Sequence, residues 1–559
     1  MNDIAYEPAR YFPFGDSALL VELGNVISPA LNQKVVVLAE AVENANIQGV
    51  EELVPTYRSL LIRFNPLRVS YEQLVFRIQD IEKTAKTSKK IVLSRKIVIP
   101  TVYGGEYGPD LAYVASNHRL TEEEVVKLHS EREYRVYMIG FVAGFPYLGE
   151  VADKIATPRL ETPRLKVPAG SVSIAEKQSG IYPCEAPGGW RIIGRTPLQL
   201  FNPQQQPPAF LKPGDTVVFK PISEKKYKML KASVKQKIQA GFKEKTMKIF
   251  KVLKPGLFTT VQDLGRYGRL KYGVPISGAM DQLSHIAANI LVGNDIDAAC
   301  LEMTLIGAEL LALSKIQIAI TGGEVSPKID GVDVPMWQTL NVDEGCTISF
   351  GRMKSGCRIY LSVRGGINVP LVLGSRSTYR RGGFGGIDGR QLKAGDVIEA
   401  FKISLLENER IIPSELVPQF SNSIKAHVTL GPQAEMFTEE GIETFLSSQY
   451  KITLEADRMG YRLEGPQIKH KEKADIISDA LLPGAVQVPK DGKPIIIMRD
   501  AQTTGGYPKI AVATTSDLCL LGQAKPNDMV EFEKVTIEEA RKQFLEHCKL
   551  IDTLKRIFE

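Results

Sequence analysis

The residues best equipped for chemistry are arginines, lysines and glycines set between stiffening prolines. One block reads Pro158-Arg-Leu-Glu-Thr-Pro-Arg-Leu-Lys-Val-Pro-Ala-Gly-Ser-Val and is followed by Pro187-Gly-Gly-Trp-Arg-Ile-Ile-Gly-Arg-Thr-Pro. Arg159, Arg164 and Lys166 supply cationic donors, and the Ala169-Gly-Ser turn ending at Ser171 offers backbone N–H groups, a combination suited to a carboxylate or phosphoryl group. Solvated surface turns are the plainer reading. A second block, Gly374-Ser-Arg-Ser-Thr-Tyr-Arg-Arg-Gly-Gly-Phe-Gly-Gly-Ile-Asp-Gly-Arg, combines flexible backbone with Arg376, Arg380, Arg381 and Arg390. It reads as an anion site or as a disordered surface loop. Asp263, Arg266 and Asp281 could orient a ligand or metal, but carboxylates in turns are more often N-caps, and Asp281 directly precedes a helical pattern from Gln282 to Leu291.

These blocks need a scaffold, and the patterning indicates an α+β, mainly β chain. Residues 1–90 read as a small α/β domain, with Ala18-Leu-Leu-Val-Glu and Ser59-Leu-Leu-Ile-Arg-Phe as strands and helices over 32–45 and 70–83. Over 91–223 short β-runs alternate with Gly/Pro turns around one helix opened by a capping box, Thr121 with Glu124, as in a β-barrel. The aromatic run Gly140-Phe-Val-Ala-Gly-Phe-Pro-Tyr-Leu-Gly either frames a pocket or packs over the barrel end. Residues 224–248 read as a Lys-rich linker, by composition a tether more than a helix. A second β-rich lobe follows, divided at about residue 420 and closed by an amphipathic helix over 536–558. The lobes share a weak repeat, in which Val167-Pro, Gln178-Ser179 and Tyr182-Pro183 align with Val488-Pro, Gln502-Thr503 and Tyr507-Pro508.

Composition excludes several classes. At 559 residues the chain needs several cores. Its charge of +6 is local: between Ser223 and Lys248 nine lysines accompany Glu224 and Glu244, a net +7. Nucleic-acid binding is therefore not indicated. Six scattered cysteines form no metal or disulfide pattern, and the six histidines are dispersed. There is no P-loop, Rossmann fingerprint, H-E-x-x-H or G-x-S-x-G. The first residues lack a leader pattern and no run is long enough to span a bilayer, so a cytoplasmic protein without membrane contact is expected.

Gly15-Asp-Ser-Ala-Leu-Leu-Val-Glu, Tyr103-Gly-Gly-Glu-Tyr-Gly-Pro-Asp-Leu, the 140–149 run and the Pro/Arg/Gly series through Arg195 resemble the B subunit of bacterial ATP-dependent 5-oxoprolinase, a family also described as histidine-kinase inhibitors. Val261-Gln-Asp-Leu-Gly-Arg-Tyr-Gly, Pro275-Ile-Ser-Gly-Ala-Met-Asp, Arg364-Gly-Gly-Ile, Gly374-Ser-Arg-Ser-Thr and Gln502-Thr-Thr-Gly-Gly-Tyr-Pro resemble the C subunit. Both halves are similar to the carboxyltransferase domain of urea carboxylase. The resemblance implies cyclophilin-like β-barrels in both lobes and ATP-dependent opening of 5-oxo-L-proline to L-glutamate with a separate A subunit. It further implies ATP with Mg2+, association of the two lobes, and room for self-association; without an A-M-K-M-like lysine hairpin, no covalent biotin is expected on this chain. Lys166, Arg164 and Arg381 are the expected catalytic cations. Arg159, Ser171, Gln178, Tyr182, Gly188, Gly189, Arg195, Asp263, Arg266, Arg376, Arg380, Gln502 and Tyr507 are expected to bind substrate or nucleotide, with no metal ligand. A biotin-dependent carboxyltransferase and a sensor-kinase inhibitor are the alternatives. The allophanate hydrolase label carried by some relatives lacks support, because the amidase serine and lysine signature is missing.

Overall fold

The computed structural model describes residues 5–87, 94–234 and 246–558. Its N-terminal domain is a four-stranded antiparallel sheet of β1 (Ala5–Pro13), β2 (Ala18–Gly24), β3 (Val50–Pro55) and β4 (Ser59–Phe64), in the order β1-β2-β4-β3. Helices Pro29–Ala45 and Tyr71–Thr87 cover one face. Every residue of β2 is buried because the sheet has two neighbours. Leu19, Val21 and Leu23 pack beneath the helices, whereas Ala18 and Leu20 pack against Ala480, Leu482 and Val512 near the other end of the chain.

The next domain is a closed barrel of β5 (Lys96–Tyr103), β6 (Glu133–Ile139), β7 (Pro146–Gly149), β9 (Ser171–Ala175), β10 (Gln178–Ile181), β12 (Arg191–Arg195) and β13 (Thr216–Pro221). Beside it, β8 (Arg164–Val167) and β11 (Ala186–Gly188) form a two-stranded flap. The capping box at Thr121 and Glu124 is present, each backbone N–H donating to the other side chain at 2.7 and 3.2 Å.

A second closed barrel comprises β14 (Ser423–Leu430), β15 (Tyr450–Ile452), β16 (Gly460–Glu464), β18 (Ala485–Gln487), β19 (Ile495–Ile497), β21 (Lys509–Ala513) and β22 (Met529–Lys534), with β17 (Asp479–Ala480) and β20 (Thr504–Gly505) as its flap. The order β5-β12-β9-β10-β7-β6-β13 recurs as β14-β21-β18-β19-β16-β15-β22, and in each barrel the first and last strands pair in parallel. Single hydrogen bonds recur too: Gly170 N–H to Tyr182 O and Thr196 N–H to Gly170 O correspond to Gly484 N–H to Ile497 O and Ala513 N–H to Gly484 O. The two barrels are copies of one unit.

This equivalence corrects the register of the sequence repeat. Val167-Pro precedes β9, whose counterpart is β18, whereas Val488-Pro precedes β19, so the short match is one strand out of step. The structural counterpart of Pro187-Gly-Gly-Trp190 is Thr504-Gly-Gly-Tyr507, since β11 matches β20 and β12 matches β21.

Between the barrels lies a domain of two sheets. One has six strands, including Thr246–Lys254 and Val397–Phe401, and the other has five, including Cys300–Thr304 and Arg358–Val363. Helix Gln282–Leu291 packs on the five-stranded sheet, and its N-cap Asp281 accepts from Ser284 N–H at 3.0 Å. The linker expectation needs one correction. Glu224–Val234 is a helix docked on the first barrel, with Tyr227 buried against Tyr107 at a ring separation of 4.9 Å. Burial of that one ring overrides the lysine-rich composition. Residues 235–245 of the linker lie outside the described residues, as do 88–93.

Candidate functional site

A cavity of about 1080 Å3 opens where the two barrels face each other. Its deep wall is aromatic and comes from the first barrel. Phe145 stands edge-on to Tyr147, Tyr182 and Trp190 at centroid distances of 5.1, 5.2 and 5.5 Å. Gly188 makes this possible, because a Cβ there would lie 2.1 Å from the Tyr182 hydroxyl. Burial pushes the Tyr182 and Tyr137 phenols up to about 12, so this wall is uncharged at neutral pH.

The loop 140–145 between β6 and β7 is held by the other half of the chain. Phe141 adopts a left-handed φ of 63°, and its N–H donates to Thr504 Oγ1 of β20 at 3.1 Å. Gly140 has no Cβ, which would sit 2.4 Å from that hydroxyl. A bulky residue held at positive φ persists where its surroundings over-determine it. Here the second barrel does so, and the cavity wall is complete only when both halves are docked.

Equivalent segments of the two barrels line opposite sides. Leu160 N–H donates to Gly189 O at 2.7 Å, and Ile476 N–H donates to Gly506 O at 2.9 Å. Leu160 thus corresponds to Ile476, Trp190 to Tyr507 and Arg159 to Asp475, and all six face the cavity. Duplication has placed a cation on one rim and a carboxylate on the other. Two guanidiniums stand over aromatic rings: Arg159 over Trp190 at 5.8 Å and Arg381 over Phe141 at 5.1 Å. Arg381 comes from the middle domain and is half-buried, its side-chain hydrogen bond reaching Met459 Sδ at 3.9 Å. An apolar, neutral wall edged by cations with unspent donors can hold a small planar anion and distinguish its two ends.

Of the residues singled out in the sequence, Arg159, Gln178, Tyr182, Gly188, Gly189, Arg381, Gln502 and Tyr507 line this cavity. The others lie elsewhere. Arg164 is taken by Asp110 in a bidentate pair at 2.7 and 2.9 Å. Lys166 projects into solvent beside Glu185 at 3.1 Å, its side chain 78% exposed. Neither flap cation lines the cavity, because the alternation of β8 directs them elsewhere. Ser171 is buried, and Arg195 lies over Tyr107 at 5.4 Å.

The glycine-rich arginine loop is clamped in place. The Asp263 carboxylate accepts from Ser375 Oγ at 2.7 Å, from Ser377 Oγ and from Arg376 N–H. Arg266 is fully buried and donates to Val372 O at 3.1 Å and to Ser377 O. Arg376 lies over Phe401 and Arg380 over Phe258, at 5.2 and 5.9 Å. Asp263, Arg266 and Arg376 therefore shape the loop that carries Arg381, and Arg380 lies on its exposed side. Sequence reasoning passed over Phe141, Phe145, Trp190 and Asp475 as individual site residues. The aromatic run signalled the first two, and Trp190 and Asp475 become evident only once the duplication is in register.

In the second barrel the counterpart of loop 140–145 is the segment between β15 and β16. Its Arg458 enters the middle domain, donating to Glu302 Oε1 at 2.5 Å, Asp500 Oδ2 at 2.9 Å and Gly278 O at 2.7 Å. Cys300, His285 and Asn289 are aligned like a thiol triad, with Sγ 2.9 Å from Nδ1 and Nε2 3.2 Å from the amide. All three are fully buried. Burial raises the thiol and lowers the imidazole to about 4, leaving both neutral and structural.

The molecule is thus a duplicated two-barrel protein with its main cavity at the junction of the copies. Models of the carboxyltransferase domain match it in two blocks, subdomains C and D over residues 9–211 and subdomains A and B over residues 272–534. The first block is 43% identical over 223 residues to the 5-oxoprolinase B subunit of Bacillus subtilis, covering 38% of this chain and 92% of that protein. The second is 37% identical over 294 residues to the 5-oxoprolinase C subunit of Escherichia coli, covering 53% of this chain and 94% of that one. Urea amidolyase of Saccharomyces cerevisiae is 38% identical over 309 residues, 51% of this chain, but the match spans only 17% of that longer protein. The crystal structure of TTHA0988 superposes with a TM-score of 0.79 at 31% identity, over 94% of this chain and 100% of that one. The chain belongs to the carboxyltransferase-domain family that includes the 5-oxoprolinase B and C subunits, and it joins a B-like and a C-like half in one polypeptide. Among the described residues no helix is long and apolar enough to cross a membrane.

Proposed function

We propose that this chain is the fused B- and C-type component of an ATP-dependent 5-oxoprolinase, opening 5-oxo-L-proline to L-glutamate with a separate A-type subunit in the cytoplasm. The observation that carries the reading is the position of the cavity. It is walled by the B-like half and the C-like half together, and the Phe141–Thr504 hydrogen bond makes its shape depend on both.

The substrate is a small planar lactam bearing a carboxylate. Arg159 and Arg381 suit the carboxylate, the Tyr147, Tyr182 and Trp190 rings suit the ring faces, and the Asp475 rim can accept a hydrogen bond from the lactam N–H. A lactam carbonyl is a weak electrophile. Transfer of the γ-phosphoryl group of ATP to its oxygen makes the ring carbon attackable by water; the adduct expels the ring nitrogen, which takes up a proton, leaving an acyl phosphate that a second water hydrolyses. In the balanced reaction one water opens the lactam and one takes up the phosphoryl group, giving glutamate, ADP and phosphate. Among the described residues no group of three or more His, Cys, Asp or Glu side chains is arranged to ligate a metal. In this reading Mg2+ accompanies the nucleotide, and no step is routed through a metal site here.

The alternative is carboxyl transfer from a biotin carrier on another chain, favoured by the carboxyltransferase-domain match itself. A growth test separates the two. A host lacking its own B- and C-type subunits, supplied with this chain and an A-type subunit, should grow on 5-oxo-L-proline as sole nitrogen source. Growth equally good without this chain would reject the proposal.

A further inference from the structure

A second, smaller pocket of about 80 Å3 lies where the N-terminal domain, the middle domain and the second barrel meet, among Asp16, Ser17, Arg63, Gln282, Arg499 and Thr515. Arg499 is 5% exposed. Its guanidinium nevertheless donates no hydrogen bond and joins no ion pair among the described residues. Other buried guanidiniums in the chain are engaged: Arg58 by Glu22, Arg358 by Tyr461 and Gly522 O, and Arg458 by Glu302 and Asp500. Arg499 is the exception: its donors have no protein partner and are left to solvent or a ligand in the pocket.

The surrounding groups do not supply that partner. Asp16 has both carboxylate oxygens engaged by Thr515, accepting from its N–H at 2.8 Å and its hydroxyl at 2.6 Å. Arg63 is committed to Glu51 and Glu52 at 3.0 and 3.6 Å and lies over Tyr267. The Ser17 hydroxyl lies 3.4 Å from Thr515 Oγ1 and also serves the Asp16 carboxylate. The charge of Arg499 is felt nearby: it adds to the burial that holds His547 below the usual imidazole range, and it opposes the burial that pushes the Cys519 thiol up to about 12.

We propose that this pocket binds one small oxyanion, of phosphate or bicarbonate size, with Arg499 as its principal partner. A guanidinium presents paired N–H groups that match two oxygens of such an ion. The volume admits one such ion, or roughly two or three waters at about 30 Å3 each, and excludes a nucleoside. Because the pocket takes residues from positions 16 to 515, the ion ties the N-terminal domain to the second half of the chain and stabilises the docked state that completes the main cavity.

The test is the melting temperature of the full chain against inorganic phosphate and, separately, bicarbonate, at constant ionic strength with chloride. One of the two should give a saturable rise of a few degrees. Arg499→Gln should weaken that response at least tenfold, whereas Arg159→Gln in the main cavity should leave it intact. Should Arg499→Gln not fold, Ser17→Leu fills the pocket, and anomalous diffraction from selenate locates the ion in the wild type. Equal responses in wild type and pocket variant, no saturable rise with either ion, or selenate bound elsewhere and not in this pocket would overturn the proposal.

Discussion

Arg380 and Arg381 are adjacent in sequence and give opposite predictions. Arg381 reaches the cavity over Phe141, whereas Arg380 is exposed and turned away over Phe258. Replacing Arg381 by Gln removes a charge-assisted hydrogen bond to the substrate carboxylate, worth about 1.5–3 kcal/mol in a partly desolvated site. At about 1.4 kcal/mol per factor of ten, kcat/KM for 5-oxo-L-proline should fall by about 10- to 150-fold. Arg380→Gln loses only an exposed cation–π contact of about 0.5–1 kcal/mol that takes no part in binding, and its kcat/KM should stay within about twofold of wild type. Lys166→Ala is a second control and should also leave turnover unchanged, since that side chain is solvated beside Glu185. The assay is glutamate release by the chain mixed with its A-type partner, with melting temperatures to confirm folding. Equal losses in Arg380→Gln and Arg381→Gln, or a loss in Lys166→Ala alone, would refute the site.

Three further outcomes follow from the packing. Glu302 is buried between Arg358 and Arg458 and also accepts from Met280 N–H and Tyr360 Oη, each at 2.8 Å; Glu302→Gln should cost about 3–5 kcal/mol in denaturant unfolding. These partners hold its carboxyl below the usual range, so the stabilisation is present above the unfolded pKa of about 4.3 and is lost as pH falls through the folded value. The Gln variant should lack that acid slope. Lys509 is wholly buried, its Nζ has no hydrogen-bond partner, and burial lowers it to about 8; the unfolded chain then binds the extra proton between about pH 8 and 10.4. Wild-type stability relative to Lys509→Met should therefore rise across that window, and a flat difference would show that the lysine is hydrated. Finally, cleavage at a protease site inserted between residues 234 and 246 should leave two halves that co-elute in size exclusion, because Ala18, Leu20 and Leu61 of the first half share a core with Leu482, Ala485 and Val512 of the second.

Much of the fold was legible because it is written in local pattern. The Thr121 capping box, the Asp281 N-cap, the barrel texture and the internal repeat are each encoded within a few residues. The correct register of the repeat was not. A Gly-Gly-aromatic turn fits several alignments, and only the ladder β9-β10 against β18-β19 chooses among them. The site was half legible for the same reason. Proline- and glycine-rich blocks mark where backbone must bend around a ligand, but they do not say which cation is free. Arg164 is removed from consideration by Asp110, 54 residues away, and Arg266 by the carbonyls of a loop more than a hundred residues on. The fully buried β2 read as an ordinary strand, although its second face belongs to a barrel near the other end of the chain.

The most direct test of the functional account is the product analysis of one reaction mixture containing the full chain, its A-type partner, ATP, Mg2+ and 5-oxo-L-proline. The account predicts L-glutamate and ADP in equal amounts, with neither protein sufficient alone. A mixture that stays inert, while a carrier protein bearing carboxylated biotin supports carboxyl transfer by the same chain, would contradict it.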